Sequence, residues 1–415
     1  TNVVMDVSAG SLDALIGTLT IGQNDNSGVQ KSDTLSSLVM STGTLDANTI
    51  ILGLLSNNST DATYRGSGTL TLNGTGTIIA NLINFSHRTN ATAAGMSDGI
   101  LNLRGGGTLQ AATIQRGASP SGTATFNWDH GTIKNYNATT DLSITDVNLT
   151  LNSSGSRTFE ITANRTATVN SSLVNGTTPG TEAFTKTGTG RLILNAASTY
   201  TGRTTIQEGA LFVANSTGSA TGSGSLLINS NGTLTGTGRI APTGSAGLLN
   251  QGTLKAGGIN GTAAGTLTLD LSNTTGSLSS TGTLVFDLFT NAGDNSAIST
   301  AADRLLLIGV DAADISLSGT LHLGLGSNST LETEDFSEGD RWLLVDWTGI
   351  TGGLPTVNFS QIDSVGFTLP TELKWTYEFN QTGLFAVITV VPEPSRMLLL
   401  WMGMSLLFLR RRPRQ

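Results

Sequence analysis

Residues 70–78 read Leu70-Thr71-Leu72-Asn73-Gly74-Thr75-Gly76-Thr77-Ile78: two alternating apolar residues, a polar link and a Gly-Thr-apolar step. The same phrase recurs on both sides. Leu38 and Met40 precede Gly43-Thr44-Leu45; Leu101 and Leu103 precede Gly107-Thr108-Leu109; Phe126 and Trp128 precede Gly131-Thr132-Ile133; Leu226 and Ile228 precede Gly232-Thr233-Leu234. The first apolar residue stands five or six positions before the glycine, and the glycines at 43, 76, 107 and 131 are 33, 31 and 24 residues apart, which is a solenoid spacing. Each unit reads as a short strand with alternate residues inward, a glycine turn where φ can be positive, and a second short strand. Such a strand cannot bury its apolar face alone. Stacked coils bury it, because backbone groups of one coil pair with the next and inward side chains form continuous columns. The predicted fold is an all-β, right-handed parallel β-helix, with most residues from about 30 to 262 in one solenoid and Leu70, Leu101, Leu192 and Leu226 inward.

Composition agrees. Glycine supplies 52 of 415 residues and charged residues only 12%, so Thr, Ser, Asn and Gly must cover the surface. Threonine suits an outward strand position, because its branched Cβ favours extended backbone and its hydroxyl faces water. The net charge is −8, and residues 1–391 hold 16 basic against 28 acidic side chains. An acidic body excludes nucleic-acid binding through phosphate neutralisation. With no cysteine there is no disulfide, thiolate nucleophile or cysteine metal site. The opening TNVVMDVSAG lacks an initiator Met, a basic segment and an apolar core, so either a signal peptide has been removed or the sequence is a fragment.

A second phrase, Gly-x-Gly-polar-apolar-x-apolar, occurs as GSGTLTL (66–72), GTGTIIA (74–80), GTGRLIL (188–194) and GSGSLLI (222–228). It fails as a nucleotide loop, lacking the sixth-position glycine and any GK[ST], and is read as a turn followed by a strand. Residues 186–213, KTGTGRLILNAASTYTGRTTIQEGALFV, add Lys186, Tyr200-Thr201-Gly202 and a Thr204-x-Ile206-x-x-Gly209-x-Leu211-x-Val213 ending. This stretch resembles the autotransporter-associated β-strand repeat. The resemblance implies a passenger-type right-handed parallel β-helix on an exported Gram-negative bacterial protein. The sequence shows no C-terminal translocator barrel, so self-secretion is not expected.

From about 263 the alternating runs lengthen, and Trp342, Trp347, Phe359, Phe367, Trp375, Tyr377, Phe379 and Phe385 gather within 45 residues. Residues 1–262 are read as the β-helix repeats, 263–391 as a β-rich section that continues or caps the helix, and 392–415 as a sorting tail. A cap is required, since an open last coil exposes apolar columns and unpaired edges. The aromatics are expected in its core, with an aromatic carbohydrate platform as the sharper alternative. The tail joins Pro392-Glu393-Pro394, an uncharged apolar run from Met397 to Leu409, and Arg410, Arg411, Arg412 and Arg414. Thirteen helical residues span about 20 Å against a hydrocarbon core of ~30 Å, which makes a short transmembrane helix helped by snorkelling arginines on the cytoplasmic side. This order resembles the PEP-CTERM sorting signal. The resemblance implies an exosortase as processing partner, Pro392, Glu393 and Pro394 as its recognition motif, Met397–Leu409 as a transient inner-membrane anchor and the four arginines as the cytoplasmic stop.

No catalytic or metal centre emerges. The histidines are His87, His130 and His322. Asp129-His130 sits before a turn glycine without a G-x-S-x-G nucleophile. Glu332, Glu334, Asp335, Glu338 and Asp340 lack the spacing of a calcium loop and read as a solvated turn. Sequons such as Asn73-Gly74-Thr75 arise readily in this composition. No cofactor is expected. The function expected is an exported structural or adhesive β-helix protein, delivered to the outer surface or extracellular matrix, with an extracellular polysaccharide or another cell-surface ligand as partner. The competing expectation is a polysaccharide lyase or hydrolase, which needs several carboxylates and a basic residue in one groove.

Overall fold

A computed structural model describes residues 2–25, 33–56, 64–89, 95–117, 122–152, 155–177, 183–258, 261–290 and 301–391. The regular secondary structure of the described residues is strand, apart from two single-turn 3-10 segments at Ala312–Asp314 and Thr333–Asp335. No helix among them is long and apolar enough to cross a membrane. The tail from Pro392 to Gln415 lies outside the described residues, and with it the sorting motif, the apolar run and the arginine cluster.

The strands wind as a β-helix-like solenoid. One face is a seven-strand parallel sheet in which Asn2–Asp6, Thr34–Met40, Arg65–Leu72, Met96–Leu103, Ala124–Trp128, Leu149–Leu151 and Leu173–Asn175 pair in chain order, one strand per coil. Two further faces share a second sheet. Thr108–Arg116 bends across both, pairing through Thr108 to Ala111 with Gly131–Asn135 and through Thr113 to Gln115 with Leu142–Thr145. The halves run separately until Thr204–Val213 joins them again. Long strands that serve two faces make this sheet's pairings a closed ring. Its pairings are parallel and link successive coils, as stacking requires and an up-and-down barrel does not.

The aligned motifs set the register. Leu38 pairs with Leu70, then Leu101, Phe126, Leu149 and Leu173, all buried. Leu45, Ile78, Leu109, Ile133 and Phe159 form a parallel column on the next face. Leu70, Leu101, Leu192 and Leu226 all point into the core. A buried aromatic series follows the axis: Trp128 to Phe159 at 4.8 Å, Phe159 to Phe184 at 5.7 Å and Phe184 to Tyr200 at 5.7 Å between ring centres.

The structure assigns each phrase to a face and corrects one expected turn. The unit at 226–234 is one face out of phase: Leu226 and Ile228 continue the column of Phe184 and Lys186, whereas Leu70 and Leu72 lie on the first sheet. Any corner of such a solenoid needs alternating inward residues followed by a permissive one, so the phrase marks corners without saying which. Gly66 and Gly68 form no turn; they lie within the strand Arg65–Leu72. A Cβ on Gly68 would fall 1.9 Å from the Ile21 carbonyl oxygen, so glycine here lets opposed backbones meet across the core.

Beyond Asn175 the first face passes to a six-strand sheet. Arg239–Ile240, Thr266–Asp270, Arg304–Ile308 and Arg341–Asp346 continue in parallel, and Gly383–Val390 with Leu373–Phe379 finish it as an antiparallel hairpin. The late aromatics hold this end together. Phe336 packs on Trp342, Phe367 and Trp375 at 5.9, 5.3 and 5.8 Å, while Trp342 and Trp347 are buried and donate their indole N–H to Thr290 and Asn380 carbonyls. These rings pack as core and do not form an exposed carbohydrate platform.

Candidate functional surface

The outside of the helix is built from the residues that alternate with the core columns. On one face Thr44, Thr77, Thr108, Thr132, Thr158, Thr185 and Thr205 pair in sequence, a seven-rung threonine file. Leu227, Leu249, Ser279, Ser316 and Thr356 extend it. Amide ladders run elsewhere: Asn127 donates to Asn102 at 2.8 Å and Asn195 to Asn170 at 2.7 Å. Where the threonine file gives way to leucine, two adjoining depressions of about 440 and 500 Å³ open around Arg203, Ser225 and Ser245. The first is floored by Leu227 and Leu249 and edged by Thr275, Ser277 and Ser279; the second is lined by Thr201, Ser223 and Thr243. Arg203 is the one ionisable residue among the described residues lining either.

Acidic residues serve turns and ion pairs. Glu332 and Asp335 cap each other's backbone across Thr333–Asp335, and Asp340 accepts the Ser337 N–H at 2.7 Å. No group of three or more His, Cys, Asp or Glu able to hold a metal occurs among the described residues. Asp129 pairs with Arg104 at 2.9 Å, and His130 occupies the turn before Gly131. Burial lowers the pKa of His87. Two constellations escaped sequence reasoning because their members lie in separate coils. His322 and Asp363 face each other on neighbouring strands, Nδ1 to Oδ1 2.8 Å. Lys255 pairs with Asp287 at 2.8 Å beside the fully buried Asp303, whose Oδ1 accepts the Gly265 N–H at 2.8 Å. Aligning Lys255, Val285, His322 and Asp363 as one outward column was the available signal.

The stretch with the strongest sequence signature turns Lys186, Tyr200 and Thr204 inward. Lys186 has no exposed surface and sits between Phe159 and Ile206 in a core column. Its Nζ donates to the carbonyls of Thr187 (2.7 Å), Gly188 (2.6 Å) and Glu208 (3.2 Å). Burial pulls its pKa down to about 8, against the opposing charge of Glu208. Tyr200 is buried with its hydroxyl 2.5 Å from Thr204 Oγ1, and burial raises its pKa. Gly188 and Gly209 both adopt positive φ, and a Cβ on Gly209 would lie 2.3 Å from the Gly188 oxygen. The lysine thus ties a glycine turn to the coil above it. Residues 184–212 match the family model of the passenger-associated-transport-repeat. That repeat belongs to exported, surface-exposed β-repeat passengers, and its pattern here is a recipe for the interior of one coil. No curated protein matches the chain.

Proposed function

We propose that the chain is a non-enzymatic, structural and adhesive protein of the outer surface or extracellular matrix, a right-handed parallel β-helix released from the inner membrane by an exosortase acting at Pro392-Glu393-Pro394. Parallel β-crossovers are right-handed in nearly all known sheets. One observation carries the reading: the passenger repeat at 184–212 uses Lys186, Tyr200 and its glycines to build a coil, leaving a threonine file outside. Such a protein acts by length, rigidity and repeated weak contacts. The apolar run Met397–Leu409 is too short for a permanent anchor, and Arg410, Arg411, Arg412 and Arg414 hold it on the cytoplasmic side until cleavage. Loss of the tail takes the net charge from −8 to −12, which opposes self-association. The test is fractionation and intact-mass measurement of the protein from its native host. A surface or matrix form ending near Pro392 is expected. A form resident in the inner membrane and still ending in Arg412-Pro413-Arg414-Gln415 overturns the proposal.

A further inference from the structure

The depressions around Arg203 bring together an exposed guanidinium, an apolar strip and a set of hydroxyls. Many of the described basic side chains face a carboxylate: Arg65 with Asp98, Arg104 with Asp129, Lys134 with Glu160, Arg239 with Asp270 and Lys255 with Asp287. Arg203 is exposed, has no carboxylate partner among the described residues, and is steadied by Ser225 Oγ at 3.4 Å from its Nε. Beneath it Leu227 and Leu249, 39% exposed at Leu249, interrupt the hydroxyl file with an apolar strip. Ser225, Ser245, Thr275 and Ser277 edge that strip with hydroxyls, and Thr201, Ser223 and Thr243 line the adjoining depression.

Resting on the surface-display reading above, we infer that this depression binds a linear polysaccharide carrying sparse carboxylate groups, lying along the helix axis. Three features select that ligand. A planar guanidinium without an acid partner engages a carboxylate through paired N–H bonds. A sugar ring presents C–H faces to the leucines and hydroxyls to the surrounding Ser and Thr, and rungs about 4.8 Å apart offer these groups repeatedly to a polymer crossing the coils. The body's 28 acidic against 16 basic side chains repel a densely charged polyanion, so isolated carboxylates on a neutral backbone fit where a polyuronate does not.

Calorimetric titration of the purified chain with oligosaccharides of gellan, a linear glycan with a single glucuronate in each repeat, tests this. The control is the same material after reduction of its carboxylates to alcohols. Binding to the native oligosaccharide is expected, with at least about tenfold weakening for the reduced form and for Arg203→Gln, and a smaller loss for Leu249→Ser. Both side chains point outward, so unchanged circular dichroism and urea midpoints accompany the loss. Equal affinity for native and reduced glycan, an Arg203→Gln variant that binds like the parent, or no binding by the folded parent overturns the inference. None of these outcomes bears on the mass and fractionation result, so the surface-display reading stands or falls separately.

Discussion

Replacing Asp303 by Asn should make the protein's stability less dependent on pH, and the structure sets the size of the effect. Asp303 has no exposed surface; one carboxyl oxygen accepts the Gly265 N–H and the other has no hydrogen-bond partner among the described residues. Its carboxyl group is wrapped closely enough that a Cβ on Gly257 would lie 2.2 Å from it. Burial is the main force pushing its pKa up to about 7, Asp287 adds to it, and the Gly265 hydrogen bond and Lys255 oppose it. An unfolded aspartate ionises near 3.8. Between about pH 4 and 7 the folded state therefore holds a proton that the unfolded state has released, so stability falls as pH rises through that window and levels off above it. At about 1.4 kcal/mol per unit, roughly three units amount to about 4 kcal/mol. The substituted amide does not titrate and keeps the Gly265 acceptor, so Asp303→Asn should gain about 4 kcal/mol on the parent between pH 4 and pH 8. An unpaired amide N–H2 would lower the variant by about 1–3 kcal/mol at every pH, which shifts the intercept and leaves the slope. Urea unfolding followed by the fluorescence of the buried Trp342 and Trp347 at several pH values measures it. A difference between variant and parent that stays constant from pH 4 to 8 refutes the reasoning.

Phe159→Ala should cost about 3–5 kcal/mol, because the ring is fully buried between Trp128 and Phe184 and its loss opens the aromatic column; a urea-midpoint shift worth under about 1 kcal/mol would mean that the coils collapse onto the gap. Lys186 has the opposite sign to Asp303, since its folded pKa of about 8 lies below its ordinary 10.5. The unfolded state keeps that proton longer, so between pH 7 and 9 the parent should gain about 1 kcal/mol on Lys186→Met, and identical pH profiles in thermal melts would contradict a buried ammonium.

Alternation and glycine spacing were enough to read the coil. Aligning Gly43, Gly76, Gly107 and Gly131 reproduces the observed pairing of Thr44, Thr77, Thr108 and Thr132, because inward residues recur every second position and each corner needs a permissive backbone. The same local rule read Gly66 and Gly68 as a turn, whereas they are needed for close approach across the core, and it left open which face the unit at 226–234 occupies. Both outcomes have one cause: the pattern carries a period of two along the strand and no label for the face. The interior Lys186 was visible as a motif residue, but its three carbonyl partners were not, since one belongs to the next coil.

Alternation along the chain is sufficient for the class of structure and its inward columns, down to Leu38, Leu70, Leu101 and Phe126 in one file. Which outward side chains meet depends on how the coils stack. Coil length changes from 32 residues between Leu38 and Leu70 to 25 between Leu101 and Phe126 and 22 between Ile206 and Ile228, so no fixed repeat predicts the neighbours of Arg203, Lys255 or His322. The stacking of apolar columns fixes each coil over the last. The core is therefore written in local periodicity, and the surface chemistry emerges from the register that packing imposes.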